Sequence, residues 1–351
     1  MSSRTLERVV WLLGTCEVHL QAPPSAETRQ SAYSLAQRCW RILPALGPRI
    51  REWTAEELPS SFQYRLEAIA EVCAFRDAWC VEFARRMNAR EVPYALIKGV
   101  ACGLLAYGGM QNRASFDIDV AVPRYFARAA QCLAEECGFE PAQWDEATRK
   151  FQRPNFLLRS LTEAHHFELG YLVRRQFLCA SSDPKYTRLA AQCTPDQLAL
   201  HLTEQLDVAC YLGIDIHHGL ALDIPADEFV AAATNILVTG TPVKVVCAAG
   251  ALFHAVLKIY AEGLAWGEGL HHYADCIRLL TRADENSAFE FRALLNKYNL
   301  LGAAHHVLRR IPSNFFVPLP PAFEEIFQEG ASAAAAIPDM WDNLLDAQAH
   351  D

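Results

Sequence analysis

The chain has 351 residues, of which 52% are hydrophobic and 21% are charged, a composition typical of a soluble globular protein. This length exceeds what one hydrophobic core usually serves, so we expect two or three packed units. The formal net charge of −9 at pH 7 disfavours a nucleic acid as the main partner, although it leaves room for a local basic groove.

The twelve cysteines are scattered, and no Cys-x-x-Cys pair occurs. This pattern predicts neither a zinc site nor a redox pair, and it suits a reducing cytosol where cysteines act as small core residues. The longest apolar stretch, 245–256, is too short to span a membrane, and the run 9–13 lacks the cleavage site of a secretory signal. We therefore expect a cytoplasmic protein with no membrane partner.

Residues 1–90 are predicted to form an N-terminal helical region. Apolar residues at helical spacing indicate a helix over 26–43 and a long helix over 58–87. The pair Arg76-Asp77 interrupts the apolar face of the long helix by one turn. The pattern therefore leaves open whether that helix is continuous.

The stretch from Val92 to Pro123 carries the strongest pattern in the chain. Lys98-Gly99 closes a first strand and opens a helix, where free backbone N–H groups favour phosphate. Arg113, four residues before the first acid, is suited to clamp anionic oxygens. The predicted elements are a strand over 94–97, a small-residue helix over 100–107 and a second strand over 116–122.

The second of these strands carries two carboxylates, Asp117 and Asp119. Side chains alternate along a strand, so the acids project from one face while Ile118 and Val120 point into a core. Two acids on one face repel each other unless a cation lies between them, and Mg²⁺ is the usual ion at such a pair. Taken alone, an Asp-x-Asp pair is more often two solvated surface acids. Lys98-Gly99, Arg113 and the apolar strand around the acids are the features that favour a metal site.

Regular patterns continue after Pro123, where Gly138 is expected to end the next helix as a C-cap. In a later alternating strand Asp215 and His217 face one way, and Ile214 and Ile216 face the other. The predicted elements are a helix over 124–137, a helix over 195–208, the strand near 211–217, a hairpin over 236–246 and helices over 248–262, 270–280 and 289–298.

These motifs resemble the polymerase-β-like nucleotidyltransferase superfamily, and most of all its group of uncharacterised nucleotidyltransferases. The resemblance implies an α+β fold with a small mixed nucleotidyltransferase sheet and flanking helices, preceded and followed by helical regions. Many members have Gly-Ser or Gly-Gly where this chain has Lys98-Gly99. The implied domains are a helical region over 1–90, a catalytic domain over 91–246 with an insertion near 175–205, and a helical domain over 247–351. The matching residues are Lys98-Gly99, Tyr107, Arg113, Asp117-Ile118-Asp119 and Pro123.

The same resemblance assigns roles to the candidate site residues. A family strand of the form apolar-acid-apolar-His supplies a third carboxylate, which places Asp215 in that role with His217 beside it. Glu168 is the alternative third acid, and the sequence leaves that choice open. The implied catalytic and metal-binding residues are Asp117, Asp119 and Asp215, and the implied nucleotide-binding residues are Lys98, Gly99, Arg113 and His217. Family members carry a similar helical tail, which makes Lys258 and Arg278 candidate cations for the nucleotide, with a helix-surface ion pair as the favoured alternative for each.

The implied reaction is Mg²⁺-dependent transfer of a nucleoside monophosphate from an NTP, with ATP expected as donor, and with release of pyrophosphate. The acceptor is a hydroxyl or similar group on a small molecule, a peptide or a protein, and the acidic charge makes nucleic acid less favoured. Two alternatives stay open: a nucleotide-binding or interaction protein with a lapsed site, and the toxin half of a toxin–antitoxin pair. The presence of both Asp117 and Asp119 argues against a lapsed site.

Overall fold

The chain divides into two compact units by its internal contacts. The sheet unit is formed by the described residues of Pro59–Leu104 and Arg113–Cys247, and the helical unit by those of Met1–Leu58, Leu105–Asn112 and Ala248–Asp351. No helix in the described part of the chain is long and apolar enough to cross a lipid bilayer. The computed structural model describes residues 40–45, 47, 60–145, 150–154, 160, 169–179, 200–202, 208–221, 224–265, 270–315 and 317–334.

The sheet unit is built on a mixed eight-stranded sheet, accompanied by two small hairpins, β4–β5 and β9–β10. The strands are β1 (Ala95–Leu96), β2 (Asp117–Ala121), β3 (Glu140–Pro141), β4 (Gln143–Asp145), β5 (Lys150–Gln152), β6 (Leu172–Cys179), β7 (Leu200–Leu202), β8 (Val208–His217), β9 (Gly219–Ala221), β10 (Ile224–Pro225), β11 (Thr234–Val238) and β12 (Thr241–Val245). The order is β11-β12-β1-β2-β8-β6-β3, with β7 also paired to β8. The pairs β1–β12 and β2–β8 are parallel, and the other pairs are antiparallel.

The helices confirm the α+β class predicted from the sequence. Short 3₁₀ turns at Trp40–Ile42, Met110–Asn112 and Arg124–Phe126 accompany the α-helices. The α-helices are α1 (Ser60–Ala89), α2 (Lys98–Ala106), α3 (Ala127–Glu136), α4 (Asp227–Ala231), α5 (Ala248–Ala265), α6 (Leu270–Arg282), α7 (Glu285–Lys297), α8 (Leu301–Leu308), α9 (Arg310–Phe315) and α10 (Pro321–Ala334).

The long helix α1 is continuous, which settles the question raised by Arg76-Asp77. Its apolar residues Ile69, Cys73 and Phe83 are buried, as their helical spacing predicts. Arg76 lies on the same buried face and is fully covered. The interruption seen in the sequence is therefore a buried arginine within one unbroken helix.

Local turn chemistry accounts for two further confirmed predictions. Thr239 and Gly240 have φ values of 48° and 82°, the pair of positive values that a two-residue type I′ hairpin requires between β11 and β12. Gly138 has a φ of 80° and follows Cys137, the C-cap of α3, at the position where a left-handed glycine commonly ends a helix. The helix predicted over 195–208 is wrong at residues 200–202, which form the strand β7.

Several sequence predictions lie wholly or mainly outside the described residues. These are the helix over 26–43 before residue 40, most of the insertion near 175–205, and Glu168. In the helical unit, the predicted helices over 248–262, 270–280 and 289–298 are confirmed as α5, α6 and α7. Their buried apolar residues include Phe253, Ile277 and Phe291.

Candidate active site

Two neighbouring parallel strands bring acidic residues from distant parts of the chain together. β2 and β8 pair in register, with Asp119 opposite Asp215 and Ala121 opposite His217. Alternation along β8 buries Ile216 completely and leaves Asp215 half-buried on the other face. The predicted strand character of both acidic segments is therefore confirmed.

Asp119, Asp215 and His217 form a group that could hold a metal ion. One ligand atom from each residue lies within 4.8 Å of the others. The Asp119 side chain is only 3% exposed, and the imidazole Nε2 of His217 lies 3.2 Å from its Oδ1. Carboxylate oxygens suit Mg²⁺ or Mn²⁺, and an imidazole nitrogen is a further ligand for a transition ion. In the part of the chain that the structure describes, no other such group of three comes together.

Lys98 supplies a positive charge to this group. β1 pairs with β2, and the Ile97 N–H donates to the Asp119 carbonyl at 3.0 Å, so the chain enters α2 directly beside the acids. The Lys98 ammonium lies 2.5 Å from Asp119 Oδ1 and 3.0 Å from His217 Nε2. Lys98 has a φ of 52°, a left-handed conformation that costs a non-glycine residue on the order of 1 kcal/mol or more. The surrounding contacts must hold this turn in place.

Charge outweighs burial in setting the pKa values of this ion pair. Burial lowers the pKa of the Lys98 ammonium, but the carboxylates of Asp119, Asp215 and Asp117 hold that pKa above its ordinary value. Burial also raises the pKa of Asp119, but the Lys98 charge and the hydrogen bond with His217 hold it below its ordinary range. Lys98 and Asp119 are therefore both charged at neutral pH.

Asp117 lies on β2 outside the group of three. It stands opposite Gly213 in the register, and its charge contributes to the raised pKa of Lys98.

A side chain at Gly213 would overlap the phenol of Tyr171, so that phenol fills the space above the glycine. The sequence pattern did not indicate this position of Tyr171 beside the acidic strand. The available signal was the isolated glycine inside a strand, which often marks a close approach of another group.

The resemblance assigned Gly99 and Arg113 to nucleotide binding. Gly99 lies in the first turn of α2 and packs against Ser115, whereas Arg113 belongs to the loop before β2. A Cβ atom at Gly99 would lie 2.9 Å from Ser115 Oγ, so a larger residue there requires Ser115 to move. Arg113 is buried, and its Nη1 donates to the Ala114 carbonyl at 2.7 Å. Neither residue belongs to the metal-type group, and their phosphate-binding roles stay predictions.

Arg76 of α1 binds the loop before β2 through hydrogen bonds, a role that the sequence pattern did not indicate. Its Nη1 donates to the carbonyls of Arg113 and Ser115 at 3.1 and 3.0 Å, and to Ser115 Oγ at 3.0 Å. Ser115 Oγ in turn donates to the Asp117 carbonyl at 3.1 Å. A continuous chain of hydrogen bonds thus links a buried guanidinium to the backbone of the acidic strand. The signal was a charged residue within an otherwise apolar helix face.

The helical unit carries Arg278 and Lys258, which the sequence suggested as further cations. Tyr107 Oη donates to Asp275 Oδ1 at 2.8 Å, and the Arg278 guanidinium lies 4.4 Å from the centre of the Tyr107 ring. These contacts give Tyr107 and Arg278 structural partners within that unit. A role for Arg278 or Lys258 in nucleotide binding stays a prediction.

Comparisons with known proteins add one family match. A family model described as "Uncharacterised nucleotidyltransferase" matches residues 27–315. Among solved structures, the chain is similar to an antigenic nucleotidyltransferase-like protein from Paracoccidioides brasiliensis, at 14% sequence identity and a TM-score of 0.34, over 65% of this chain and 91% of that chain. No curated protein matches the chain.

Proposed function

The chain belongs to the family of uncharacterised nucleotidyltransferases, and on that premise we propose that it transfers a nucleoside monophosphate from an NTP to an acceptor. A bond forms between the α-phosphorus and a hydroxyl or similar group of the acceptor, and the bond to the leaving pyrophosphate breaks. The observation that carries this proposal is the group of Asp119, Asp215 and His217, with ligand atoms within 4.8 Å of one another.

The residues of the group fit a divalent cation. The Lys98 ammonium, itself a cation, already lies 2.5 Å from Asp119, which supports a site built to attract positive charge. Asp119 and Asp215 would hold Mg²⁺, with His217 as a neighbouring ligand and Asp117 as the next carboxylate on β2. When bound, the ion would neutralise phosphate oxygens and lower the pKa of the acceptor hydroxyl.

The remaining catalytic roles, proton acceptance and neutralisation of phosphate charge, fall to different side chains of the protein. Asp215 is half-buried, whereas Asp119 is buried and paired with Lys98, so Asp215 is the better placed of the two to accept the acceptor's proton. The Lys98 ammonium would offset the negative charge that builds on the phosphate oxygens during transfer. Asp119 would then act mainly by holding the cation and orienting its neighbours.

We propose ATP as the donor and a small molecule, a peptide or a protein as the acceptor. The formal net charge of −9 supports an acceptor other than a nucleic acid, because a polyanion is repelled by an acidic protein.

The first test is a thermal-shift panel with each of the four NTPs, with and without Mg²⁺. A ligand that binds the folded state raises the melting temperature by mass action. We expect one NTP to stabilise the protein only when Mg²⁺ is present, and we expect Asp215→Asn to remove that shift. Asp227→Asn is the matched control, because Asp227 is an exposed carboxylate in the first turn of α4.

The second test uses the stabilising NTP labelled at the α-phosphate, incubated with fractionated cell extract as a source of acceptors. The proposal predicts a labelled product and released pyrophosphate with the wild type and with Asp227→Asn, and neither with Asp215→Asn. A folded Asp215→Asn variant that transfers label as fast as the wild type would contradict the assignment of the site.

A further inference from the structure

Lys98 lies where a bound metal ion would be expected to contact Asp119. Its ammonium is 2.5 Å from Asp119 Oδ1 and 3.0 Å from His217 Nε2, two of the three side chains in the metal-type group. The carboxylates of Asp215 and Asp117 are also close enough to act on its charge. A divalent ion at this group and this ammonium would therefore both engage the Asp119 carboxylate.

The backbone at Lys98 has an unfavourable conformation that the surrounding structure must stabilise. The residue has a φ of 52°, a conformation that glycine would adopt more easily, immediately after β1. Strain of this kind persists only where the surroundings determine it, and it is common at functional sites. The strained turn brings the Lys98 side chain to the Asp119 carboxylate.

The Lys98 side chain is also partly exposed to solvent. It is 21% exposed, whereas Asp119 is 3% exposed, so solvent reaches the lysine but hardly reaches the acid. A long, flexible lysine side chain can leave the carboxylate without a change in the strands. The two strands, by contrast, fix Asp119 opposite Asp215 in register.

We propose that Lys98 is an exchangeable internal cation, which neutralises Asp119 in the metal-free protein and must leave it before a divalent ion binds. This inference rests on the metal-binding part of the proposed function. Lys98 thus weakens metal affinity, and each metal ion that binds releases a positive side chain next to the site. By linkage, removing the competing cation tightens metal binding by the same factor by which the lysine weakens it.

The test is a Mn²⁺ titration of the metal-free protein, followed by the EPR signal of free Mn²⁺, without nucleotide. The variants are Lys98→Met, which keeps the length without the charge, and Lys98→Gln, which keeps a hydrogen-bond donor. Neither side chain changes the backbone demand at φ 52°, because both are L-residues with a Cβ. Lys244→Met is the matched control, a lysine on β12 of the same unit whose ammonium lies over the Tyr94 ring.

We expect Lys98→Met or Lys98→Gln to bind Mn²⁺ on the order of tenfold more tightly than the wild type, and Lys244→Met to bind like the wild type. Wild type that binds Mn²⁺ while both folded Lys98 variants bind it equally or less tightly would overturn the exchange and leave the proposed function intact. Absence of Mn²⁺ binding in wild type and variants alike would overturn both, because no metal would then occupy the group.

Discussion

Replacing Arg76 with Met is the sharpest test of how the acidic strand is held. Arg76 is fully buried, and its guanidinium donates to the carbonyls of Arg113 and Ser115, to Ser115 Oγ and to the carboxylate of Asp77. Met fills much of the same space without donating any hydrogen bond. The variant therefore removes the polar contacts while it keeps most of the packing.

The expected loss follows from those contacts. A hydrogen bond from a charged donor contributes about 1.5 to 3 kcal/mol, and a buried acceptor left without its donor adds a desolvation penalty. The apolar packing of Met offsets part of this loss, and so does relief from burying a charge. We expect Arg76→Met to lower the free energy of unfolding by about 3 to 5 kcal/mol, close to the cost of breaking a buried charge pair.

The measurement is the urea midpoint by far-UV circular dichroism, with metal-free protein at pH 7. Arg85→Met is the control. Arg85 lies on the same helix, but it is exposed, and its guanidinium pairs with the nearby Glu82. Surface pairs of this kind contribute little, so the control should unfold like the wild type. If Arg76→Met lost less than about 1 kcal/mol, the polar contacts of Arg76 would not be what stabilises the loop.

Two more outcomes are expected from the same geometry. Gly213→Ala should be destabilised by about 1 to 3 kcal/mol in the urea assay, because its Cβ would overlap the Tyr171 phenol. In a Tyr171→Ala background, which removes the ring as well as the hydroxyl, the same substitution should cost less, and an equal cost would count against the phenol as the obstacle. Because the pKa of Asp119 is lowered on folding, its charged form stabilises the protein above the unfolded-state pKa of about 4 and this contribution is lost as the pH falls below it. In urea titrations from pH 7 to pH 3, the stability advantage of wild type over Asp119→Asn should therefore shrink at the acidic end, and an advantage independent of pH would contradict the assignment.

The sequence predicted correctly those strands and turns whose conformation is determined by residues close together along the chain. The alternation of acid and isoleucine around Asp119 and Asp215 identifies two half-buried strands, because a period of two is enough to define them. The turn at Thr239-Gly240 was equally local, since few residues accept two positive φ values in succession. The resemblance added what periodicity does not contain, namely that these two strands belong to one site.

What the sequence did not predict depends on contacts across the fold. The burial of Arg76 runs against the rule that charged residues face water, and the carbonyls of the loop before β2 and the Asp77 carboxylate explain it. Gly99 resembles a phosphate-loop glycine, yet the space it leaves is occupied by Ser115. The Lys98–Asp119 contact requires the antiparallel pairing of β1 with β2, which spacing along the chain does not determine.

The pairing of the strands also explains why a cation is needed at this site at all times. Asp119 and Asp215 are fixed opposite each other by backbone hydrogen bonds of β2 and β8, which keeps two acidic side chains side by side. Neighbouring like charges, one of them buried, are stabilised when one is neutralised, by protonation or by a counter-ion. Burial alone would raise the pKa of Asp119, and the Lys98 charge together with the hydrogen bond to His217 holds that pKa below its ordinary range. In the metal-free protein that counter-ion is Lys98, and any divalent ion that enters must offset the loss of this ion pair before it gains from the acids.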